Sequence, residues 1–153
     1  MSRIDFYYLT QSTLDETLPK LLLKAYQTGK NIKIKIGTPE RVDFLSALLW
    51  TFDDESFLPH GVKKDGFADL QPIFLSSDDE IPNNAQLLFI VDGADVKASD
   101  LQDFDRIFYI FDAKNDLELS KARNAWKLCD QNTFERHYWQ QTPAAQWQEK
   151  NNT

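Results

Sequence analysis

The segment Leu87–Val91 restricts the possible folds more than any other part of this chain. It reads LLFIV, a continuous apolar run that ends at Asp92 and Gly93. A strand with apolar side chains on both faces must be covered on both faces, which is typical of the centre of a parallel sheet flanked by helices. The remaining sequence therefore has to supply helices for both sides of a sheet.

The rest of the chain alternates between strand patterns and helix patterns. Apolar residues at helical spacing follow Thr13 and again follow Pro39, and a last long helix is predicted from Asp116 to about Arg136. Repeated strand–helix units of this kind favour a mainly parallel sheet. Further strands are predicted at Ile4–Leu9, Asn31–Gly37, Pro72–Leu75 and Asp105–Phe111, with a short polar connection or a single helical turn around Ser99–Asp103.

The predicted fold is therefore α/β, with a mainly parallel sheet flanked by helices. A chain of 153 residues, of which 42% are hydrophobic, can bury one core but is short for two domains. We expect a single domain over residues 1–142 and a polar C-terminal tail over residues 143–153.

Two elements carry local predictions. Thr13 is expected to cap the first helix, and Pro19 implies either that the regular helix begins near it or that the helix has a local kink. In the second strand, isoleucines alternate with Lys33 and Lys35, which predicts one face in the core and one partly wet face. Arg3, Lys33 and Lys35 are thus interpreted as ordinary solvent-facing charges.

Charge and cysteine content exclude several classes of protein. A net charge of −7 argues against a broad phosphate-binding surface, so any contact with DNA is expected to be indirect. The single cysteine, Cys129, has no partner for a disulfide or a zinc site, which favours a reducing, cytoplasmic setting. We find no apolar run long enough for a signal peptide or a membrane span, and we expect no membrane association.

The usual chemical motifs do not occur. The loop after the first strand, Thr10–Thr13, contains no glycine, and the chain has no glycine-rich phosphate-binding motif. His60 and His137 are too isolated to indicate zinc, and the acids at Asp53–Glu55 and Ser76–Glu80 lack the spacing of a calcium loop. We predict no catalytic residues, no cofactor and no metal.

The segment Ala47–Gly61 places large apolar side chains among acids. These residues either fold back into the core or form a docking patch for a partner. His60 is interpreted as a loop or interface residue and not as a general base. The apolar residues of the segment are Leu48, Leu49, Trp50, Phe52, Phe57, Leu58 and Pro59.

A basic cluster in the last helix stands out against the acidic background. It consists of Lys121, Arg123 and Lys127, and Trp126 lies three residues after Arg123. Residues three and four apart share a helix face, so the cations and the ring can converge on a small site for a peptide carboxylate. The alternative is that Trp126 belongs to the core and the cations lie on the surface.

The ordered set of these segments resembles the chi subunit family of bacterial DNA polymerase III, an accessory protein of the clamp-loader assembly. The likeness covers most of the chain. It is carried by Asp5–Leu9 (DFYYL), Thr28–Lys30 (TGK), Leu49–Phe52 (LWTF), Ser56–His60 (SFLPH) and Ala122–Lys127 (ARNAWK).

The resemblance implies a non-enzymatic adaptor with a Rossmann-like fold that lacks a nucleotide site. In this family one surface binds the psi subunit, and the matching residues here are Trp50, Phe57, Pro59 and His60. The other surface binds the acidic C-terminal tail of single-stranded-DNA-binding protein, and the matching residues are Arg123, Trp126 and Lys127. A helicase docked on the same aromatic residues is an alternative to psi.

The chain departs from the family pattern near the second of these surfaces. Leu119 stands where a lysine is expected, and Leu128–Asp130 replaces basic residues. Arg136 and His137 are candidates to supply a further cation. A second class of function also stays open, a small-molecule or nucleotide-dependent enzyme that uses unusual residues after the strands, such as Asp92 and Asp112.

Overall fold

The computed structural model of the chain describes residues 3–53, 57–131 and 135–150. Within these ranges, strands and helices alternate over most of the length, and two short 3₁₀ turns at Lys63–Asp65 and Ala68–Leu70 follow the third strand. The elements are β1 (Arg3–Leu9), α1 (Leu14–Tyr26), β2 (Ile32–Ile36), α2 (Pro39–Thr51), β3 (Gly61–Val62), β4 (Ile73–Ser76), β5 (Leu87–Val91), α3 (Ala98–Asp103), β6 (Arg106–Asp112), α4 (Asp116–Gln131), β7 (Glu135–Gln141) and β8 (Trp147–Lys150).

All of the strands belong to one sheet, in the order β3-β4-β2-β5-β6-β1-β7-β8. Neighbouring strands are parallel except for β7 and β8, which pair antiparallel. The predicted α/β class, with a mainly parallel sheet flanked by helices, is confirmed. β3 and β8 form the two edges of the sheet, and β5 lies near its centre.

The side chains of β5 explain why its sequence is apolar throughout. Leu87, Phe89 and Val91 join one buried cluster together with α1 and α2. Leu88 and Ile90 point to the opposite face and join a second cluster with α3 and α4. The sheet is therefore covered on both sides, as a continuous apolar strand requires.

Helix α1 begins where the sequence predicts. The Thr13 hydroxyl accepts a hydrogen bond from the backbone N–H of Glu16 (3.2 Å), and the Glu16 carboxylate accepts one from the backbone N–H of Thr13 (3.0 Å). This reciprocal capping box satisfies two donors that the first helical turn leaves unpaired. Pro19 lies buried inside the helix, so the regular helix begins at Leu14, before the proline and not at it.

The prediction that Lys33 and Lys35 face solvent is wrong. Both side chains are buried, because β2 lies between β4 and β5 and is covered on both faces. The Lys33 ammonium reaches the Ser76 hydroxyl and the Glu80 carbonyl, and burial lowers its pKa despite nearby carboxylates. The Lys35 ammonium contacts the Asp95 carbonyl oxygen at 2.6 Å.

The C-terminal region also differs from its prediction. Helix α4 ends at Gln131, five residues before Arg136, and the chain then forms β7 alongside β1. Within the segment expected to be a polar tail, Trp147–Lys150 forms β8 and extends the sheet. None of the described helices has the length and apolar character needed to cross a bilayer.

Candidate functional site

Two exposed aromatic side chains meet beside the β3 edge of the sheet. Trp50, at the end of α2, is 50% exposed, and Phe57, in the loop before β3, is 67% exposed. Their ring centroids are 5.7 Å apart, and partly buried Pro59 follows in the same loop. We call Trp50, Phe57 and Pro59 the aromatic patch.

His60 is buried next to the aromatic patch and packs against Trp50. It is 4% exposed, and its ring centroid lies 4.0 Å from that of Trp50. Its Nδ1 faces the Leu58 carbonyl oxygen (2.7 Å) and its Nε2 faces the Ser46 carbonyl oxygen (2.8 Å). These contacts join the loop to α2 and fix the orientation of the buried His60 ring, which packs against Trp50.

The remaining apolar residues of this segment divide between core and surface. Leu49 and Leu58 are buried, and Phe52 packs against the same core cluster. Six large apolar side chains are exposed among the described residues, and five of them lie between residues 44 and 70. Leu49 and Leu58 thus belong to the core, whereas Trp50 and Phe57 are exposed, and a docking role for the exposed residues stays a prediction. The five are Phe44, Trp50, Phe57, Phe67 and Leu70.

A second group of residues lies near the opposite edge of the sheet, where α4 crosses β1 and β7. Trp126 is partly buried and contacts Phe6 edge-to-face at 5.2 Å and Tyr138 edge-to-face at 6.2 Å. Arg123 and Lys127 are exposed, one turn before and one residue after it on the helix. Trp126 therefore belongs partly to the core and partly to a surface that carries cations.

Arg136 completes this group and lies ten residues after Trp126 in the sequence. Its guanidinium lies over the Trp126 ring, with Cζ 4.1 Å from the centroid, and donates a hydrogen bond to the Trp126 carbonyl oxygen (3.1 Å). Because β7 side chains alternate, Arg136 and Tyr138 share the α4 face of the sheet. We call Arg123, Trp126, Lys127, Arg136 and Tyr138 the cation–aromatic site.

Two cations considered with this site point elsewhere. The Lys121 ammonium donates to the Gly93 carbonyl oxygen (2.8 Å) and pairs with Asp95 (3.3 Å), on the side of α4 nearer to β5. The His137 ring extends from the other face of β7 and pairs with Glu149 and Glu135. Its hydrogen bond to Glu149 raises the pKa of His137. The basic cluster of the sequence thus splits between two surfaces.

The loop after β1, where nucleotide-binding folds hold phosphate, is filled by the chain itself. The backbone N–H groups of Thr10, Gln11 and Ser12 all donate to the Oε1 atom of Gln141, over 2.9–3.1 Å. Converging backbone donors of this kind form an anion-binding nest. Here the amide oxygen of Gln141 occupies that nest and joins β7 to the loop.

The acidic residues near the C-terminal ends of β5 and β6 make contacts within the protein. Asp92 accepts a hydrogen bond from the Arg41 Nε atom (2.9 Å), and Asp112 accepts one from the backbone N–H of Lys114 (2.9 Å). Burial raises the pKa of Glu118, which also accepts from the backbone N–H of Asp112. Over residues 3–53, 57–131 and 135–150, no cluster of three His, Cys, Asp or Glu side chains is arranged to hold a metal.

Some members of these sites could not be identified from the sequence. Arg136 is a candidate cation from the sequence, but its position over Trp126 depends on β7, a strand that the sequence does not predict because the last helix is expected to reach about Arg136. The alternation of Arg136 and Tyr138 with His137 and Trp139 was the available signal for a strand. Ser56, in the motif that carries the resemblance, lies outside the described residues.

Comparison with known proteins gives two findings. The sequence model of a family described as "DNA polymerase III chi subunit, HolC" matches residues 1–137 of this chain. A Rickettsia prowazekii (strain Madrid E) protein named "Probable DNA polymerase III subunit chi" is 26% identical over 109 residues, which are 71% of this chain and 66% of the relative. The chain thus matches slightly less than two thirds of that relative's length.

Proposed function

The chain belongs to the DNA polymerase III chi subunit family, and from this premise we propose that it is a non-catalytic adaptor of the replicative polymerase. In this proposal it joins the psi subunit of the clamp loader to the acidic C-terminal tail of single-stranded-DNA-binding protein. In this adaptor role it reaches DNA only indirectly, through that second protein, and it acts in the cytoplasm.

The separation of the two surfaces is the observation that carries the proposal. The aromatic patch adjoins β3, at one edge of the sheet, and the cation–aromatic site adjoins β7, six strands away. At a strand spacing of about 4.8 Å, the two lie about 30 Å apart. Two partners can therefore bind at the same time without contact between them, which an adaptor requires.

The aromatic patch has the chemistry of a protein interface. Trp50 and Phe57 are large, exposed and in contact with each other, and aromatic residues of this kind dominate binding energies at interfaces. The buried His60 ring holds Trp50 in place, so less side-chain entropy is lost when a partner covers it. We assign the aromatic patch, which includes Pro59, to the psi subunit.

The cation–aromatic site has the chemistry needed for an acidic peptide that ends in an aromatic residue. Arg123 and Lys127 supply positive charge for carboxylates, and Trp126 and Tyr138 supply an apolar face for a ring. Arg136 lies on Trp126 and adds a cation in a fixed position. We assign this site to the tail of single-stranded-DNA-binding protein.

An adaptor with these two sites can hold a polymerase assembly near coated single strands and still release it. Each tail contact is small, but several tails presented together raise the effective concentration of the next one. The psi contact keeps the chain tethered while individual tails exchange. The polymerase assembly is then held by several weak contacts together and not by a single tight interface.

Calorimetry with single-site variants tests the assignment. Phe57→Ala and Trp50→Ala should each weaken psi binding by about 2 kcal/mol, or roughly 30-fold, because they remove central aromatic contacts. Arg123→Ala and Lys127→Ala should weaken binding of a synthetic tail peptide several-fold and leave psi binding unchanged.

Two matched controls lie on α4. Leu117→Ala removes an exposed apolar side chain away from the aromatic patch, and Lys121→Ala removes a cation from the other side of the same helix. Both should bind psi and the tail peptide as wild type does. If Phe57→Ala leaves psi binding unchanged, the aromatic patch belongs to another partner, such as a helicase. If the wild-type chain binds neither psi nor the tail peptide, the adaptor role is contradicted.

The alternative of a nucleotide-dependent enzyme receives no support at the strand ends. The nest after β1 holds the Gln141 oxygen, and Asp92 is engaged by Arg41. A phosphate would have to displace a side chain that makes four hydrogen bonds with the loop, three from backbone N–H groups and one to the Ser12 hydroxyl. The chemistry of the aromatic patch and of the cation–aromatic site therefore favours the adaptor over the enzyme.

A further inference from the structure

A cleft of about 760 Å³ opens on the α1 face of the sheet, away from both sites described above. The last turn of α1 forms one wall, and the β7–β8 hairpin forms the other. Its floor is the part of the sheet where β1, β5 and β6 begin. The volume lies within the range of about 300–1,000 Å³ that is usual for small-molecule sites.

The charge of this cleft is opposite to that of the whole chain. Four cationic side chains line it, together with a single anionic side chain, Asp105. Lys30 pairs with Asp105 at 3.3 Å, and Lys24 has no ion-pair partner within the described ranges. In a chain with a net charge of −7, such a local excess of positive charge would attract an anion. The four cations are Arg3, Lys24, Lys30 and Arg106.

A buried carboxylate fixes two of these cations. Asp5 is fully buried beneath the cleft and accepts from Arg3 Nη2 (2.6 Å), Arg3 Nε (3.1 Å) and Arg106 Nε (2.8 Å). One carboxylate neutralises only one of the two guanidinium groups. The pair therefore keeps a partial positive charge, which nearby Glu135 reduces at Arg3, and its groups are held in fixed positions at the rim of the cleft. Planar, preorganised guanidinium groups are well suited to phosphate oxygens.

Aromatic rings lie next to these cations. Trp147 contacts Tyr7 edge-to-face at 5.1 Å, and Trp139 stacks on Tyr7 at 6.2 Å. Trp139 is fixed by its own hydrogen bond from Nε1 to Asp5 (3.0 Å). Cations beside aromatic faces form the arrangement that binds a phosphate together with a stacked base.

We propose that this cleft binds a nucleoside phosphate, with its phosphate between Arg3, Arg106 and Lys24 and its base against Trp147. The ligand is either a free nucleotide or the phosphorylated end of a single strand, since both present the same chemistry. The inference rests on the cleft alone and is independent of the adaptor role. It also differs from the usual nucleotide site of α/β folds, which Gln141 fills at the opposite ends of the strands.

Titrations of the full chain with dTMP, thymidine and inorganic phosphate test this proposal. Binding would be followed by the indole N–H signals in two-dimensional NMR, because only four tryptophans are present. We expect dTMP to shift the Trp147 and Trp139 signals and to bind at least about tenfold more tightly than either fragment, since it uses both parts of the cleft. A 5′-phosphorylated (dT)₄ strand distinguishes a strand end from a free nucleotide by its relative affinity.

The matched variants are Lys24→Glu and Lys20→Glu. Both side chains are exposed on α1, but only Lys24 lines the cleft. Lys24→Glu should weaken dTMP binding on the order of tenfold, and Lys20→Glu should change it less than about twofold.

Three results would overturn the proposal: no binding of dTMP at millimolar concentration, equal effects of the two variants, or N-acetylphenylalanine binding as tightly as dTMP. The last result would identify a site for an aromatic carboxylate, such as a peptide end. Loss of psi or tail binding in other variants has no bearing on this outcome.

Discussion

At the scale of single residues, Asp5 is the clearest case of a side chain that holds the fold together. Its carboxylate, in β1, joins Arg106 of β6 to Trp139 of β7. Burial alone would raise the pKa of Asp5, but hydrogen bonds from Arg3 and Trp139 and the charge of Arg106 outweigh burial and lower it. The carboxylate is therefore ionised in the folded chain and links three adjacent strands.

Replacing Asp5 with Asn tests this link. Asn carries no negative charge to offset the arginines, so we expect Asp5→Asn to lower the free energy of unfolding by about 3 kcal/mol at pH 7. Because the folded pKa is lowered, the stabilisation by Asp5 is present above its ordinary value of 3.8 and is lost as pH falls through the folded pKa. Urea unfolding at pH 7 and at pH 3 measures both effects.

The control for this measurement is Asp105→Asn. Asp105 forms an exposed ion pair with Lys30, and such pairs contribute at most about 1 kcal/mol. Its loss should therefore change stability little at either pH. If Asp5→Asn were no more destabilising than Asp105→Asn, Asp5 would not be the link that we describe.

Single residues also show where sequence patterns fail. The alternation of Lys33 and Lys35 with isoleucine predicts a half-wet strand, yet both lysines are buried. Their long side chains carry the ammonium groups to the backbone carbonyls of Glu80 and Asp95, in the loops that follow β4 and β5. Whether an alternating strand has a wet face depends on its neighbours, here β4 and β5, and those contacts are not local in the sequence.

At the scale of secondary-structure elements, the sequence predicts buried parallel strands better than it predicts the sheet edges. Leu87–Val91 is bounded correctly because both of its faces are apolar. The sequence does not predict β7 and β8, because these two strands at one end of the sheet are partly solvated and their residues are mostly polar. What fixes them is long-range: Trp139 bonds to Asp5, and Gln141 bonds to the loop after β1.

The hairpin of β7 and β8 should depend on pH through His137. Its hydrogen bonds to Glu149 on β8 and to Glu135 raise its pKa above the ordinary value of 6.5. A raised histidine pKa stabilises the fold below the unfolded pKa, and this stabilisation is lost as pH rises through the folded pKa. We therefore expect the amides of Trp147–Lys150 to be better protected from hydrogen exchange at pH 6 than at pH 9, after correction for intrinsic rates.

Glu149→Gln is the variant that isolates this contact. It should lower the pKa of His137, measured from the ring signals in NMR, and remove much of the pH dependence of protection. The chain has only one other histidine, His60, whose ring contacts the backbone carbonyls of Leu58 and Ser46. A His137 signal that titrates at or below 6.5 in the wild-type chain would contradict the assignment.

At the scale of the whole molecule, the sheet separates two kinds of surface. The resemblance implies both surfaces from the order of their motifs, but motif order alone does not give the distance between them. That distance follows from the strand order, which places β3 and β7 near opposite edges. The division of labour is chemical as well as spatial, because Trp50 and Phe57 offer apolar contact while Arg123 and Lys127 offer charge.

This division predicts different responses to salt. Binding of the tail peptide should weaken on the order of tenfold between 0.1 M and 0.5 M NaCl, because screening reduces attraction between exposed charges. Binding of psi at the aromatic patch should change less than about twofold, since apolar burial does not depend on screening. Calorimetry of each partner at both salt concentrations, alone and with the other partner bound, measures the two responses and any coupling.

Lys127→Ala provides the internal check, because it should reduce the salt dependence of tail binding and leave that of psi unchanged. Partners held about 30 Å apart on a rigid sheet should also bind additively, so saturation with psi should leave the tail affinity at each salt concentration as it was. A tail affinity that does not change with salt concentration would contradict an ionic contact at the cation–aromatic site. A tail affinity that changes when psi binds would mean that the sheet transmits a conformational change and is not a passive spacer.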